Sequence, residues 1–271
     1  MSELPGTTNQ RIATVLNPMC NEYDAHPPIR AVAGAAVDHR DLVLTADDGN
    51  MFLAYEAYAE GGGKTGVVIL PDVRGIYPFY NELAVRLAEA GHDAVTIDYF
   101  GRTAGRHARS EDFPFREHVD QATFDGVRLD VAAAVELLHE DRPDRKVFTL
   151  GFCFGGSSSW QQAANGHGLA GAIGFYGVPG RENRPLGAPS SIALATKMEC
   201  PILALIGGDD ASIPPEMVEE FDQALTKAGI EHEIHVYPNA PHSFFDRAQE
   251  QFAEESADAW RRVLSFIDRY S

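Results

Sequence analysis

The stretch Lys146–Trp160, KVFTLGFCFGGSSSW, decides the fold. Lys146 to Leu150 has the composition of a short strand buried on both faces. Gly151, Phe152, Cys153, Phe154 and Gly155 then lead into a run of small residues that reads as a helix start. Glycines two positions either side of a central nucleophile permit the sharp strand-to-helix turn called a nucleophile elbow, best known with serine at its centre. The turn exposes the reactive atom, and the helix N-terminus behind it favours developing negative charge. A thiol gains from the same geometry. With a free-cysteine pKa of about 8.5, only a few per cent is thiolate at neutrality, and a helix dipole plus a nearby imidazole raises that fraction. The competing reading is a structural cysteine in a glycine-rich turn, but the agreement of the whole pentapeptide and the strand before it favour the elbow.

An elbow of this kind needs parallel neighbours, and the surrounding sequence supplies them. Gly66–Leu70 (GVVIL), Ala94–Ile97 and Pro201–Ile206 read as strands buried on both faces, with Ala172–Tyr176 and Glu231–Tyr237 as further members. Helical runs lie between them. Phe79 to Ala90 places Leu83, Leu87 and Ala90 on one face before Gly91, and the last helix places Trp260, Val263, Leu264 and Ile267 at i, i+3, i+4 and i+7. The alternation predicts an α/β protein with a mostly parallel central sheet and helices on both faces. Leu42–Thr45 and Met51–Tyr58, separated by Asp47, Asp48, Gly49 and Asn50, predict an antiparallel hairpin at the N-terminal sheet edge. Residues 1–40, with Pro18, Pro27 and Pro28, read as an irregular arm, and residues 41–271 as one domain without internal repeats.

Composition narrows the function classes. The chain has 271 residues, a net charge of −18 and a pI near 4.8, a field that repels phosphate backbones and anionic lipid. Neither nucleic acid nor a membrane is expected as a partner, since no apolar run approaches the roughly 18 residues of a membrane span. Cys20, Cys153 and Cys200 cannot all pair within one chain, and the N-terminus carries no export-signal pattern, so a reducing, cytoplasmic compartment is expected. Cys20, Asp24 and His26 are loosely spaced and no CxxC or HExxH occurs, so neither a metal nor another cofactor is expected. A monomer and a small homo-oligomer both fit.

If Cys153 is a nucleophile in an elbow, an acid and then a histidine should follow it, each in a loop after a later strand. The strand ending at Ile206 runs into Gly207, Gly208, Asp209 and Asp210, and either carboxylate could orient a base. The strand ending at Tyr237 runs into Pro238, Asn239, Ala240, Pro241, His242 and Ser243, and His242 occupies the place of the base. The other nine histidines read as surface or packing residues.

Together GFCFGG, LIGGDDASIP, YPNAPHSFF and the segment Leu70–Arg102 (LPDVRGIYPFYNELAVRLAEAGHDAVTIDYFGR) resemble the dienelactone hydrolase family, cysteine-dependent members of the α/β-hydrolase fold. The resemblance spans Leu42 to the C-terminus. It implies hydrolysis of an ester or enol-lactone through Cys153, His242 and Asp210, the last selected over Asp209 by the family spacing from the double glycine. It also implies a carboxylate beside the resting thiol at Asp72, where many relatives carry glutamate, and an oxyanion hole formed by the backbone N–H groups of Val73 and Phe154. Arg102 matches a family arginine that holds the substrate carboxylate, while Tyr77 and Phe79 are candidate pocket-lining residues.

Residues 100–116 also hold Arg106, Arg109 and Arg116, a locally positive stretch suited to an anion. The position of the family's second carboxylate-binding arginine, four residues after the histidine, is Asp246 here, followed by Arg247. This departure motivates a second expectation, a general carboxylesterase or thioesterase acting on neutral short-chain or polymeric esters. A non-catalytic ligand-binding protein on the same fold is a third reading, disfavoured because nucleophile, base and acid are all present.

Overall fold

The computed structural model describes residues 25–33 and 35–271. Its strands are β1 (Val37–Thr45), β2 (Met51–Ala59), β3 (Thr65–Leu70), β4 (His92–Ile97), β5 (Val147–Phe152), β6 (Gly171–Phe175), β7 (Ile202–Gly207) and β8 (His232–Tyr237). They form one sheet in the order β1-β2-β4-β3-β5-β6-β7-β8. The β1–β2 and β2–β4 pairs are antiparallel, and every later pair is parallel. This is the α/β-hydrolase architecture. The expected hairpin forms one edge, closed by the backbone bond from Ala46 N–H to Asn50 O and by Gly49 at φ 83°.

The hairpin differs from expectation in length. β1 begins at Val37, inside the segment read as an arm, and pairs Val37 with Ala59. Asp38, His39 and Arg40 lack an apolar alternation because β1 is an edge strand whose side chains are mostly exposed, so polarity carries no penalty there. The described arm residues before it lack regular secondary structure and rest on the first helix, where Val32 N–H donates to Glu89.

Helices α1 (Pro78–Glu89), α4 (Phe124–His139), α5 (Phe154–Gln162), α7 (Pro215–Ala228) and α8 (Ala253–Tyr270) cover the sheet, with short α2 (Gly101–Ala104), α3 (Phe115–Val119) and α6 (Ser191–Leu194) in the connections. Two apolar clusters divide across it. Val67 and Ile69 face α1, while Val68 and Leu70 face α4, the alternation expected of a strand covered on both sides. Each such aliphatic side chain contributes about 1.5–3 kcal/mol on burial. In α8 the core-facing residues are Ala259, Val263, Phe266 and Ile267, so the stripe is rotated from the predicted one and leaves Trp260 and Leu264 on its flank.

The topology positions the site. From β3 the chain crosses to β4 on one side and then to β5 on the other, which opens a crevice at the C-terminal ends of β3 and β5. Asp72 follows β3, Cys153 follows β5, Tyr176 follows β6, Asp210 follows β7 and His242 follows β8.

Candidate active site

Cys153 sits between β5 and α5 at φ 55° and ψ −111°, a conformation non-glycine residues rarely hold. Two backbone bonds fix it, Cys153 N–H to Phe175 O at 3.0 Å and Ser157 N–H to Cys153 O at 3.1 Å. The glycines are steric necessities. A Cβ on Gly151 would lie 1.9 Å from Gly155 O, and one on Gly155 would lie 2.0 Å from Leu70 O. Gly151→Ala is therefore expected to cost about 3 kcal/mol or more and to lower Tm by about 6 °C or more, readable by thermal denaturation. Cys153 is half-buried and touches both apolar clusters, so its sulfur stands where the two sides of the sheet meet.

His242 and Asp210 approach from the far strands. The His242 ring nitrogen Nδ1 lies 2.5 Å from Asp210 Oδ2, and Ser212 N–H donates to the other carboxylate oxygen at 2.9 Å. Asp210 is buried, whereas Asp209 is exposed and ties the loop through its N–H to Ala240 O at 2.9 Å. The loops meet closely: a Cβ on Gly207 would lie 2.4 Å from Ala240 O. Burial pushes the His242 pKa down, but hydrogen bonds to Asp210 and Cys153, with the charges on both, more than reverse this and raise it to about 10. The imidazole also packs against Tyr176, ring centroids 5.0 Å apart.

Tyr176 was not among the sequence candidates. It is fully buried at φ 38°, its hydroxyl makes no hydrogen bond of normal geometry, and its neighbours include Asp246 and Cys153. Its signal in the sequence was its position immediately after a buried strand, where α/β sites collect their side chains.

The loop after β3 abuts the elbow, with Pro71 O 2.3 Å from where a Cβ on Gly155 would lie. Asp72 is buried and accepts from Arg74 N–H at 2.8 Å and from the Tyr77 hydroxyl at 3.3 Å, and Arg74 Nε is 3.5 Å from its Oδ2. Its own N–H donates to the Tyr80 hydroxyl oxygen at 3.0 Å. Among the described residues no hydrogen bond joins Asp72 to Cys153; the short carboxylate is held within its own loop. The Arg74 guanidinium covers the Tyr77 ring at 3.9 Å. Phe154 opens α5, so its N–H has no acceptor within the helix, and Val73 borders the same cluster.

Three expectations for the pocket change. Phe79 is fully buried, packed edge-on against Tyr80 and Phe152, and belongs to the core under α1. Arg102 pairs with Asp48 and, at 2.8 Å, with Asp130, which is fully buried. It clamps the β1–β2 turn to α4. Arg102→Ala leaves a buried carboxylate without its cation, with an expected loss of about 3 kcal/mol in denaturant unfolding. Arg109 is likewise buried against Asp98 at 2.6 Å.

Cys20 and Asp24 lie outside the described residues, and among the described residues no cluster of ligand-type side chains could hold a metal. No described helix is long and apolar enough to cross a membrane.

Residues 52–271 match the profile of the dienelactone hydrolase family. The chain belongs to that family. A carboxymethylenebutenolidase from Rhodococcus opacus is 30% identical over 261 residues, covering 93% of this chain and 97% of the relative. A crystal structure from Klebsiella pneumoniae, provisionally named a dienelactone hydrolase, superposes with a TM-score of 0.76 at 28% identity, covering 87% of this chain and all of that one. A dienelactone hydrolase-like promiscuous phosphotriesterase from metagenomic libraries shares the fold at 23% identity and a TM-score of 0.69. This dienelactone hydrolase family member thus carries a hydrolase fold with its cysteine, histidine and aspartate loops converging on one crevice.

Proposed function

We propose that the protein hydrolyses a carboxylic ester or enol-lactone of a small molecule through a covalent thioester on Cys153. The observation that carries this reading is the line of contacts from Asp210 to His242 to Cys153 on a strained elbow. His242 takes the thiol proton, and the thiolate attacks the substrate carbonyl carbon. The carbonyl oxygen becomes an oxyanion stabilised by the N–H groups of Val73 and Phe154. Collapse breaks the ester C–O bond, and His242 returns the proton to the departing oxygen. Water then gives a proton to His242 and attacks the thioester, and the thiolate leaves as the carboxylate product forms.

The causes of the raised His242 pKa suit both halves of this cycle. Two of the four raising influences come from Cys153 itself. While the sulfur is free they favour the imidazolium. Acylation removes the sulfur's charge, His242 becomes less basic, and a neutral imidazole is available to activate water. The experiment is steady-state hydrolysis of an activated short-chain ester by the wild type and by Cys153→Ala, supported by iodoacetamide labelling. Loss of turnover together with selective alkylation of Cys153 is expected; equal turnover by both proteins would sink the reading.

A further inference from the structure

The charges near the nucleophile do not balance. His242 is matched by Asp210 at 2.5 Å and Asp72 by Arg74 at 3.5 Å. That leaves Asp246, which is 2% exposed. Its Oδ1 accepts from Arg247 N–H at 2.5 Å, and its electrostatic neighbours are Asp72, Tyr176 and His242. Tyr77 and Tyr80, on the adjoining loop and on α1, feel its charge as well. Two arginines of the locally positive stretch are already paired, Arg102 with Asp48 and Asp130, and Arg109 with Asp98. Beside Val73 a cavity of about 190 Å³ is bordered by Arg116 and Arg184, but Arg184 is paired with Asp120 at 3.1 Å, and Arg116 is exposed against Phe115.

We propose that Asp246 is a specificity-determining residue that excludes carboxylate-bearing substrates, so that the site selects uncharged esters and lactones. This deepens the hydrolase reading above and rests on it. A buried carboxylate acts through a low-dielectric medium and is little screened by salt, so its repulsion reaches a ligand it does not touch. Burial, and then the charge of Asp72, raise the Asp246 pKa to about 6, which leaves the group ionised at pH 8. Tyr176 links the two positions in space, its ring lying against His242 and its hydroxyl neighbouring Asp246.

The test uses two alkylating agents of similar size, neutral iodoacetamide and anionic iodoacetate, on the full chain at pH 8, with labelling of Cys153 followed by mass spectrometry. Relative to a small free thiol, wild-type Cys153 is expected to favour iodoacetamide by a further factor of about ten or more. Asp246→Asn, which keeps the shape, is expected to bring that factor to within about threefold of one, while Asp246→Glu retains it. The same shift is expected in the kcat/KM ratio for matched p-nitrophenyl butyrate and hemisuccinate. A free-thiol ratio in the wild type, or an unchanged ratio in Asp246→Asn with its fold intact by thermal melting, overturns the proposal. Undiminished turnover by Cys153→Ala defeats instead the nucleophile reading beneath it, because the alkylation ratio reports the charge at the sulfur whether or not hydrolysis proceeds there.

Discussion

Cys153→Ala is expected to lower kcat for an activated ester by about 10⁴-fold or more, the scale seen when a nucleophile is removed from a hydrolase triad. What remains reflects substrate binding and the backbone donors alone. The fold should survive, because the backbone bonds that hold the turn, from Cys153 N–H to Phe175 O and from Ser157 N–H to Cys153 O, do not involve the side chain. A Tm within a few degrees of the wild type, measured beside the kinetics, separates lost chemistry from lost structure. Turnover within tenfold of the wild type would mean that another group does the attacking.

Asp210→Asn is the second large effect, about 10³- to 10⁴-fold in kcat, because an amide neither fixes the imidazole's tautomer nor stabilises its charge. It also has a signature in stability. The folded His242 pKa is raised to about 10 from a reference of 6.5, so the interaction stabilises the native state fully below pH 6.5 and is lost as pH rises through 10. Removing Asp210 removes part of that contribution. The difference in Tm between wild type and Asp210→Asn should be open at pH 6–7 and close as pH is taken toward 10. A gap that stays constant across this range would show that Asp210 supports the loop but not the charge on His242.

The parts of this molecule that sequence could convey are those governed by local rules. Gly151 and Gly155 are legible because backbone atoms occupy the space a Cβ would need, and GVVIL at Gly66–Leu70 because a strand covered on both faces has no place for polar residues. His242 stood out by its loop. Less legible was whatever depends on which side chains meet across the sheet. The family resemblance points to Arg102 as a substrate-binding arginine, yet Asp48 and Asp130, far away in sequence, pair with its guanidinium. Phe79 looks like a pocket aromatic beside the β3 loop, but the pitch of α1 turns it into the core against Phe152. The environment of Asp246 is assembled from the loops after β3, β6 and β8 and leaves no local pattern. The choice between Asp209 and Asp210 likewise depends on a tertiary contact, the 2.5 Å approach of His242 to one of them.

The proposed thioester on Cys153 can be observed directly. Wild-type protein is mixed with an excess of an activated ester, quenched in acid within the first turnovers, digested and analysed by mass spectrometry. The acyl mass is expected on the peptide containing Cys153, accumulating in His242→Ala wherever acylation still proceeds, and absent from Cys153→Ala. Hydrolysis at the full wild-type rate with no acyl group on Cys153 at any quench time, or with the group on another residue, would mean that Cys153 is not the nucleophile.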